Sequence, residues 1–325
     1  MKTLEQQSGK DHAGNRAEAR SVFRRLQHTL PVRLLITGFL AATHYLPVWL
    51  LRGLGRFVVA VFIIFNADNY RAARKNLSRI KPGSSALTYA YLAYGVFRDY
   101  AFYLIDLFHL SHNPNRLEEY SFTVAGMENL EKALSSGRGI VLLASHLGNW
   151  ELGSLKLSLK DKKIHVVFSP DSSPLLESQR SFLRSADGVQ EVPLREGGFS
   201  SLRLLRVLQE GGIVALQGDR LTFDSGTPVP FFGRDALFPK GPVKLAMVSD
   251  SLVVPIFIPI TGYKSYAILV EDPIRMESGE GVTDELKTNL QKITRILEKY
   301  ISRYPTQWFT FMPFWEDDKK ERISK

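Results

Sequence analysis

Apolar and polar positions alternate in two distinct ways along the second half of the chain. From residue 121 onward, short apolar runs with β-branched residues are followed by longer segments whose leucines recur at helical spacing. The runs predict strands at 121–125, 139–144, 164–168, 189–192, 212–216, 252–260 and 266–270. The spaced leucines predict helices at 127–134, 151–159, 174–185, 199–209 and 284–303, and Gly241-Pro242 predicts the start of a further helix that includes 244–248. This alternation predicts an α/β fold with a mixed, mostly parallel sheet flanked by helices.

The N-terminal half is more apolar and less regular. Residues 34–51 carry no formal charge, so this run is just long enough to span a bilayer. Pro47 weakens that reading, Arg52 follows at once, and the next apolar piece, 57–65, is too short to span. A single crossing, an anchor embedded without crossing, and an ordinary core helix all remain open. We expect a hydrophobic, membrane-anchoring helical segment.

Residues 86–110 are rich in tyrosine and phenylalanine at helical spacing, which predicts a long helix. Its aromatic side chains serve either core packing or the guidance of an apolar chain of a ligand. His109 and His112 close this segment, and we expect both at the surface.

The positive charge is concentrated beside the apolar region. The chain of 325 residues has a net charge of +9, and residues 1–81 contain 14 Lys/Arg but only 4 Asp/Glu. Such a distribution fits an anionic membrane surface better than nucleic acid. There is no cysteine, which excludes disulfides and thiolate chemistry. We divide the chain into a basic segment (1–33), a membrane-associating segment (34–81), a domain that contains the α/β part (82–316) and a charged tail (317–325).

One stretch combines a buried strand with candidate catalytic residues. The run 139–144 ends in Ser145-His-Leu-Gly-Asn-Trp-Glu, so that His146 follows the strand and Glu151 falls in the next helix. Ligands usually bind at this edge of α/β sheets. The carboxylate of Glu151 can fold back onto the imidazole of His146. If it holds one ring nitrogen, the other nitrogen is left free as a general base. The alternative is a structural histidine near a carboxylate that favours the helix dipole.

Four further candidate residues would bind substrate or organise the site. Arg220 also ends a strand, so it can face the same crevice as His146 and bind phosphate, with Asp219 holding it. The alternative is a purely structural pair of Asp219 and Arg220. The stretch 233–242, with Arg234 and Lys240, offers an anion site at a helix start.

One further residue and one further segment each have two possible roles. Asn149 either supports the turn or donates to an oxyanion, and the aromatic segment 308–315 favours packing or interfacial anchoring. The sequence contains no G-x-S-x-G elbow, H-E-x-x-H helix or dinucleotide fingerprint, which argues against serine hydrolases, zinc hydrolases and dinucleotide enzymes.

Three ordered segments resemble the bacterial lipid A biosynthesis acyltransferases, relatives of the lysophospholipid acyltransferases. The first, 145–153, is similar to their H-x4-E motif. The others are 215–220, followed by 229–242, and 307–315. The likeness extends over about residues 30–316.

The resemblance implies an O-acyltransferase on the cytoplasmic face of a bacterial inner membrane. His146 would be the general base and Glu151 would orient it. The implied donor is an acyl carrier protein thioester and the implied acceptor a lipid A precursor, with no metal and no other cofactor. Coenzyme A as the donor stays open. Another glycolipid, an amino-acid lipid or an aryl polyene lipid remains an alternative acceptor, and a non-catalytic lipid-binding protein or a membrane-tethered hydrolase an alternative function.

Overall fold

The structure is a computed structural model that describes residues 38, 41–156, 163–170, 173–185, 189–194, 199–222, 226–277, 282–315 and 317. The predicted basic segment, the end of the helix predicted at 151–159 and nearly all of the charged tail lie outside these residues.

Between residues 48 and 112 the structure has three long helices: α1 (Val48–Phe65), α2 (Ala67–Ile80) and α3 (Ala86–His112). Pro47 precedes α1 with extended backbone angles, and because proline cannot donate a helical hydrogen bond it sets the start of this helix. Ser85 caps α3 by accepting a hydrogen bond from the backbone N–H of Thr88 at 3.1 Å. The predicted helix at 86–110 is thereby confirmed.

The long apolar helix lies inside the predicted membrane-associating segment, 34–81, but it does not coincide with the uncharged run 34–51. The long apolar helix begins at Val48 rather than ending near residue 51, and it continues through Arg52 to Phe65. Arg52 does not interrupt it because its Nη2 lies 2.7 Å from Asp106 Oδ2 in α3, which compensates the buried charge. By length and composition, α1 is able to cross a membrane.

α1 has one protein-facing side and one exposed side. Val48, Leu51 and Val59 are buried against the rest of the protein. The exposed large side chains of this helix are Trp49, Leu54, Phe57, Val58, Val61, Phe62, Ile64 and Phe65. An apolar surface of this extent on one helix is typical of a membrane or protein contact.

His109, expected at the surface, is buried. Residues 41–45 are helical and pack over this end of α3, where the backbone carbonyl of Thr43 lies 3.3 Å from His109 Nδ1. His112 is exposed, as predicted.

From residue 121 to residue 217 the remaining elements alternate between strand and helix, as the sequence predicts, and beyond it three strands that were not predicted occur at 227–231, 234–238 and 274–275. In chain order they are β1 (Ser121–Ala125), α4 (Met127–Ser135), β2 (Ile140–Ala144), α5 (Trp150–Lys156), β3 (Ile164–Phe168), α6 (Pro174–Ser185), β4 (Val189–Pro193), α7 (Phe199–Gln209), β5 (Ile213–Gln217), β6 (Thr227–Phe231), β7 (Arg234–Phe238), α8 (Gly241–Ser249), β8 (Leu252–Phe257), β9 (Ile260–Gly262), β10 (Ser265–Val270), β11 (Ile274–Arg275) and α9 (Val282–Arg303).

In the described part of the chain, the main sheet has the strand order β1-β10-β8-β2-β5-β3-β4. The β10–β8 pair is antiparallel and the other neighbours along this order are parallel. β2 lies in the middle, and its residues 140–143 are buried because both of its faces are covered. The predicted fold class, a mixed and mostly parallel sheet flanked by helices, is confirmed.

The C-terminal aromatic segment packs inside the protein. β6 and β7 form a separate two-stranded sheet. Trp308 and Trp315 are both buried next to Phe231, which belongs to β6. The packing role predicted for residues 308–315 is therefore confirmed for these two indoles.

Candidate active site

The turn after β2 is fixed by backbone hydrogen bonds from two distant segments. Gly148 adopts a φ of +71°, and a Cβ there would clash with the carbonyl oxygen of Ile258. The N–H of Gly148 donates to Gln307 O at 3.0 Å, and the N–H of Asn149 donates to Ile258 O at 2.8 Å. Phe309 returns a bond to His146 O at 2.9 Å. The backbone at His146 is thus held from both sides.

Asn149 is fully buried and supports the start of α5. Its Oδ1 accepts a hydrogen bond from Leu152 N at 3.3 Å, and its Nδ2 lies 3.5 Å from the hydroxyl of Tyr266. Of the two roles predicted for Asn149, these contacts are those of turn support.

His146 is held by Asp219. Ala144 and Gln217 are paired in the register of the parallel strands β2 and β5. His146 and Asp219 each lie two residues beyond these partners, so that both reach the same sheet edge. His146 Nδ1 lies 2.7 Å from Asp219 Oδ1. The backbone N–H of His146 donates to the same carboxylate at 3.1 Å.

The contact predicted between Glu151 and the imidazole is corrected by this geometry. Nδ1 carries a single in-plane hydrogen bond, and its carboxylate partner is Asp219. Buried Glu151 instead pairs with two arginines of α6: its Oε1 lies 3.3 Å from Arg180 Nε and 3.7 Å from Arg184 Nη1. The sequence reasoning chose Glu151 because it is near in sequence, whereas Asp219 is near in space.

The predicted pairing of Asp219 with Arg220 is also revised. Asp219 accepts from His146 and from Trp308 Nε1, which lies 3.0 Å from Oδ2. Arg220 donates to the backbone carbonyl of Phe309. Asp219 and Arg220 still interact electrostatically, because they are adjacent and the carboxylate of Asp219 is buried.

The pKa shifts favour a neutral imidazole beside an ionised carboxylate. Burial would raise the pKa of Asp219, but His146, Arg220 and the Trp308 hydrogen bond lower it well below its usual range. Burial and the charge of Arg220 lower the pKa of His146, while Asp219 opposes this shift. An ionised carboxylate only accepts hydrogen bonds, so Nδ1 carries the proton and Nε2 keeps its lone pair. This is the state required of a general base.

Glu151 lies in a different electrostatic environment. Burial raises the pKa of its carboxyl, and the charges of Arg180 and Arg184 partly offset that shift. Arg184 is further compensated by Glu177 at 2.6 Å and Glu191 at 2.5 Å. Glu151 therefore interacts with the arginines of the site rather than with the imidazole of His146.

His146 lines a cavity of about 400 Å³ at the carboxyl edge of the sheet, which we call the catalytic cavity. Arg180, Arg184 and Arg220 contribute three guanidinium groups to its wall. The aromatic part of the wall consists of Tyr100, Trp150, Phe309 and Phe311. Cationic and apolar surfaces thus meet beside the imidazole.

A second, apolar cavity of about 990 Å³ lies between α1 and α3, and we call it the apolar cavity. Tyr100 and Phe311 line both it and the catalytic cavity. The other wall residues include Leu54, Val58 and Phe62 from the exposed side of α1. A continuous apolar lining therefore leads from α1 to the aromatic wall near His146.

The structure places two predicted binding residues elsewhere. Arg234 begins β7, is exposed, and lies 3.8 Å from Asp317. Lys240 precedes α8. Neither belongs to the described residues that line the catalytic cavity, because the 233–242 stretch turns back as the β6–β7 sheet. Their predicted role in anion binding stays a prediction.

Sequence reasoning missed Arg180, Arg184 and the hydrogen bond from Trp308. The two arginines are four residues apart on α6, a spacing that places them on one helix face. The four-residue spacing is visible in the sequence, but it does not indicate that α6 packs next to Glu151. The indole of Trp308 follows no pattern, since its partner Asp219 is 89 residues away.

Comparison with known proteins identifies relatives of this chain. The chain is similar to the phosphatidylinositol mannoside acyltransferase of Mycobacterium tuberculosis, with 25% identity over 251 residues that cover 76% of this chain and 78% of the relative. It is also 25% identical to the enzyme of that name from Mycolicibacterium smegmatis, over 77% of this chain and 82% of the relative. The family model for the bacterial lipid A biosynthesis acyltransferases matches residues 22–317. The chain belongs to this acyltransferase family.

Proposed function

We propose that the protein is a membrane-associated O-acyltransferase that moves a fatty acyl chain from an acyl carrier protein thioester to a hydroxyl group of a lipid A precursor. The observation that carries this proposal is the His146–Asp219 pair in a cavity with an arginine-rich wall and an aromatic wall. The arginines suit a phosphate-bearing acceptor, and the aromatic wall continues into the apolar cavity.

The proposed reaction moves the acyl group directly from a thioester to a hydroxyl group. Nε2 of His146 takes the proton of the acceptor hydroxyl while its oxygen attacks the thioester carbonyl. The tetrahedral intermediate then expels the carrier thiolate, which takes the proton back from the imidazolium. An oxygen ester and a free thiol result. Asp219 stabilises the imidazolium between these steps and holds its orientation.

The arginines have two roles in this proposal. Arg220 and Arg180 are the cations whose charge acts on His146, so they lie close enough to act on the intermediate's oxyanion and on acceptor phosphates. Glu151 fixes Arg180 and Arg184 in place. Its predicted catalytic role then acts through the arginines.

Membrane association follows from the exposed side of α1. A lipid acceptor must leave the bilayer only far enough for its hydroxyl to reach His146, and the apolar cavity gives its acyl chains a continuous lining. A protein-bound thioester is delivered from the cytoplasm, so we place the site on the cytoplasmic face of the inner membrane.

A second acceptor deserves equal testing. The mycobacterial relatives are named for phosphatidylinositol mannoside, a glycolipid that also bears a phosphate. The same dyad and arginine wall suit either acceptor, and they equally suit another glycolipid, an amino-acid lipid or an aryl polyene lipid.

Lipid mass spectrometry tests the proposal. Cells without their own late acyltransferases would express the wild type, His146→Ala or the control His112→Ala, which changes an exposed histidine of α3. We expect one added acyl mass on the lipid A precursor with the wild type and with His112→Ala. An added mass on another lipid would reject this acceptor, and equal activity of His146→Ala would reject the mechanism. Transfer to water alone would identify a hydrolase.

A further inference from the structure

A third cavity of about 480 Å³, which we call the rim cavity, lies on a different face of α3 from the catalytic cavity. Its walls are α1, α3, the segment from β9 to Tyr263, and residues 306–307. Among the described residues, none lines both this cavity and the catalytic one. The rim cavity is therefore separate from the acyl-transfer chemistry.

Three arginines line the rim cavity with a single carboxylate. Arg52 is compensated by Asp106 behind the wall, at 2.7 Å, and Arg98 by Asp99, at 2.8 Å. Arg56 is exposed, and no carboxylate of the described chain pairs with it. The wall thus carries one uncompensated positive charge.

Arg56 is positioned rather than loosely extended. Its Nη1 donates to the backbone carbonyl of Arg52 at 3.3 Å, and its guanidinium carbon lies 5.1 Å from the ring centroid of Phe102. Stacking on the ring leaves the in-plane N–H donors available, and this planar fork matches two oxygens of one phosphate.

The surroundings indicate a lipid rather than a free anion. Trp49 and Tyr263 line the cavity with 63% and 52% of their surfaces exposed. Aromatic rings of this kind, next to arginine, are typical of the bilayer interface. The exposed apolar side of α1 continues from Trp49 through Phe57 and so offers a surface for acyl chains.

We propose that the rim cavity binds the phosphate of an anionic membrane phospholipid, which is not the substrate. Arg56 makes the principal contact, and Arg52 and Arg98, whose charges are compensated, line the cavity beside it. The bound lipid holds the first turns of α1 at the headgroup level. Because the cavity is separate from His146, the proposal does not depend on which acceptor the enzyme uses.

Native mass spectrometry of the detergent-purified protein tests this site. The protein would be titrated with phosphatidylglycerol or with phosphatidylcholine of the same acyl chains. We expect one phosphatidylglycerol per chain to bind in preference to phosphatidylcholine. Arg56→Gln should lower this occupancy about tenfold, to the phosphatidylcholine level. Arg56→Lys, which keeps the charge, should retain a preference for phosphatidylglycerol.

Arg71→Gln is the matched control. Arg71 is an exposed arginine of α2, next to α1 in the chain, and is paired with Asp68. Equal loss in Arg71→Gln and Arg56→Gln would show general charge attraction and overturn the site. So would equal binding of the two lipids by the wild type. Displacement by an equal concentration of inorganic phosphate would overturn the lipid assignment. Acyl transfer to detergent-dispersed acceptor should be unchanged in Arg56→Gln, which separates this result from failure of the catalytic proposal.

Discussion

Replacing Asp219 with asparagine removes the carboxylate from Nδ1 of His146 and keeps the size of the side chain. The wild-type contact of 2.7 Å becomes a charge-assisted hydrogen bond once His146 is protonated in the transition state. A hydrogen bond to a charged group is worth about 1.5–3 kcal/mol. At about 1.4 kcal/mol per tenfold, kcat/KM should fall about 10- to 150-fold.

This estimate is a lower bound. Asp219 also accepts from Trp308 Nε1 at 3.0 Å and from the backbone N–H of His146 at 3.1 Å. An asparagine whose oxygen satisfies these donors can turn its amide N–H toward Nδ1. The proton would then move to Nε2, which would no longer accept the proton of the acceptor hydroxyl.

The pH dependence gives a sharper signature. His146 works as a base only when neutral, so activity falls at low pH as it becomes protonated. Its pKa lies below the ordinary value, which places the acid limb of kcat/KM at correspondingly low pH. Asp219 raises that pKa, so Asp219→Asn should move the limb to still lower pH. Arg220 lowers it, so Arg220→Gln should move the limb to higher pH.

The assay is acyl transfer from acyl carrier protein to a fixed glycolipid acceptor, measured on purified protein from about pH 5 to about pH 9. Glu151→Gln is the comparison. It should lower activity because Arg180 and Arg184 lose their shared carboxylate, and it should leave the midpoint of the acid limb in place. A limb that moves in Glu151→Gln and not in Asp219→Asn would refute the assignment of Asp219 to the imidazole.

Three further substitutions test the scaffold. Gly148→Ala should destabilise the fold by about 2 kcal/mol or more in chemical denaturation, because φ is positive and the new Cβ meets the carbonyl of Ile258. Arg52→Met should cost about 3–5 kcal/mol in the same measurement, since it leaves Asp106 charged and buried. Ala101→Trp, in the wall of the apolar cavity, should lower kcat/KM for long-chain donors or acceptors more than for short-chain ones.

Each of these has a matched control. Gly83→Ala has a similar φ of +81° but open space around the Cβ, so it should cost only about 1 kcal/mol. Equal costs at the two glycines would contradict the close-approach argument. Adding Asp106→Asn to Arg52→Met should restore part of the lost stability; no recovery would mean that the charge was not the cause. Leu87→Trp, on the exposed side of α3, should leave chain-length preference unchanged.

Much of the α/β part was predictable because its signals are local. β1, β3, α6 and α7 have the predicted bounds, since each combines a clear apolar period with polar or glycine-rich ends. The position of His146 at the edge of the sheet followed from the same signals. The strand pairing that brings residue 219 next to it is a long-range property, and no local pattern encodes it.

The failures have the same physical origin. Arg52 was taken to end the apolar segment because the sequence does not show that Asp106, 54 residues away, neutralises it. His109 looked exposed because its covering segment, 41–45, precedes it by more than 60 residues. Glu151 was assigned to His146 on spacing alone, although Arg180 and Arg184 on a separate helix provide its partners.

The packing of α1 against α3 determines which change to α1 would give a water-soluble form of this enzyme. Deleting the helix would strip Asp106 of its guanidinium partner and uncover Phe102 and Ile105, which α1 buries. The exposed apolar side chains of the helix lie on the side that faces away from the protein, where Phe57 and Phe65 are 71% and 82% exposed. Substituting polar residues on that side of α1, rather than deleting the helix, would leave the catalytic domain intact.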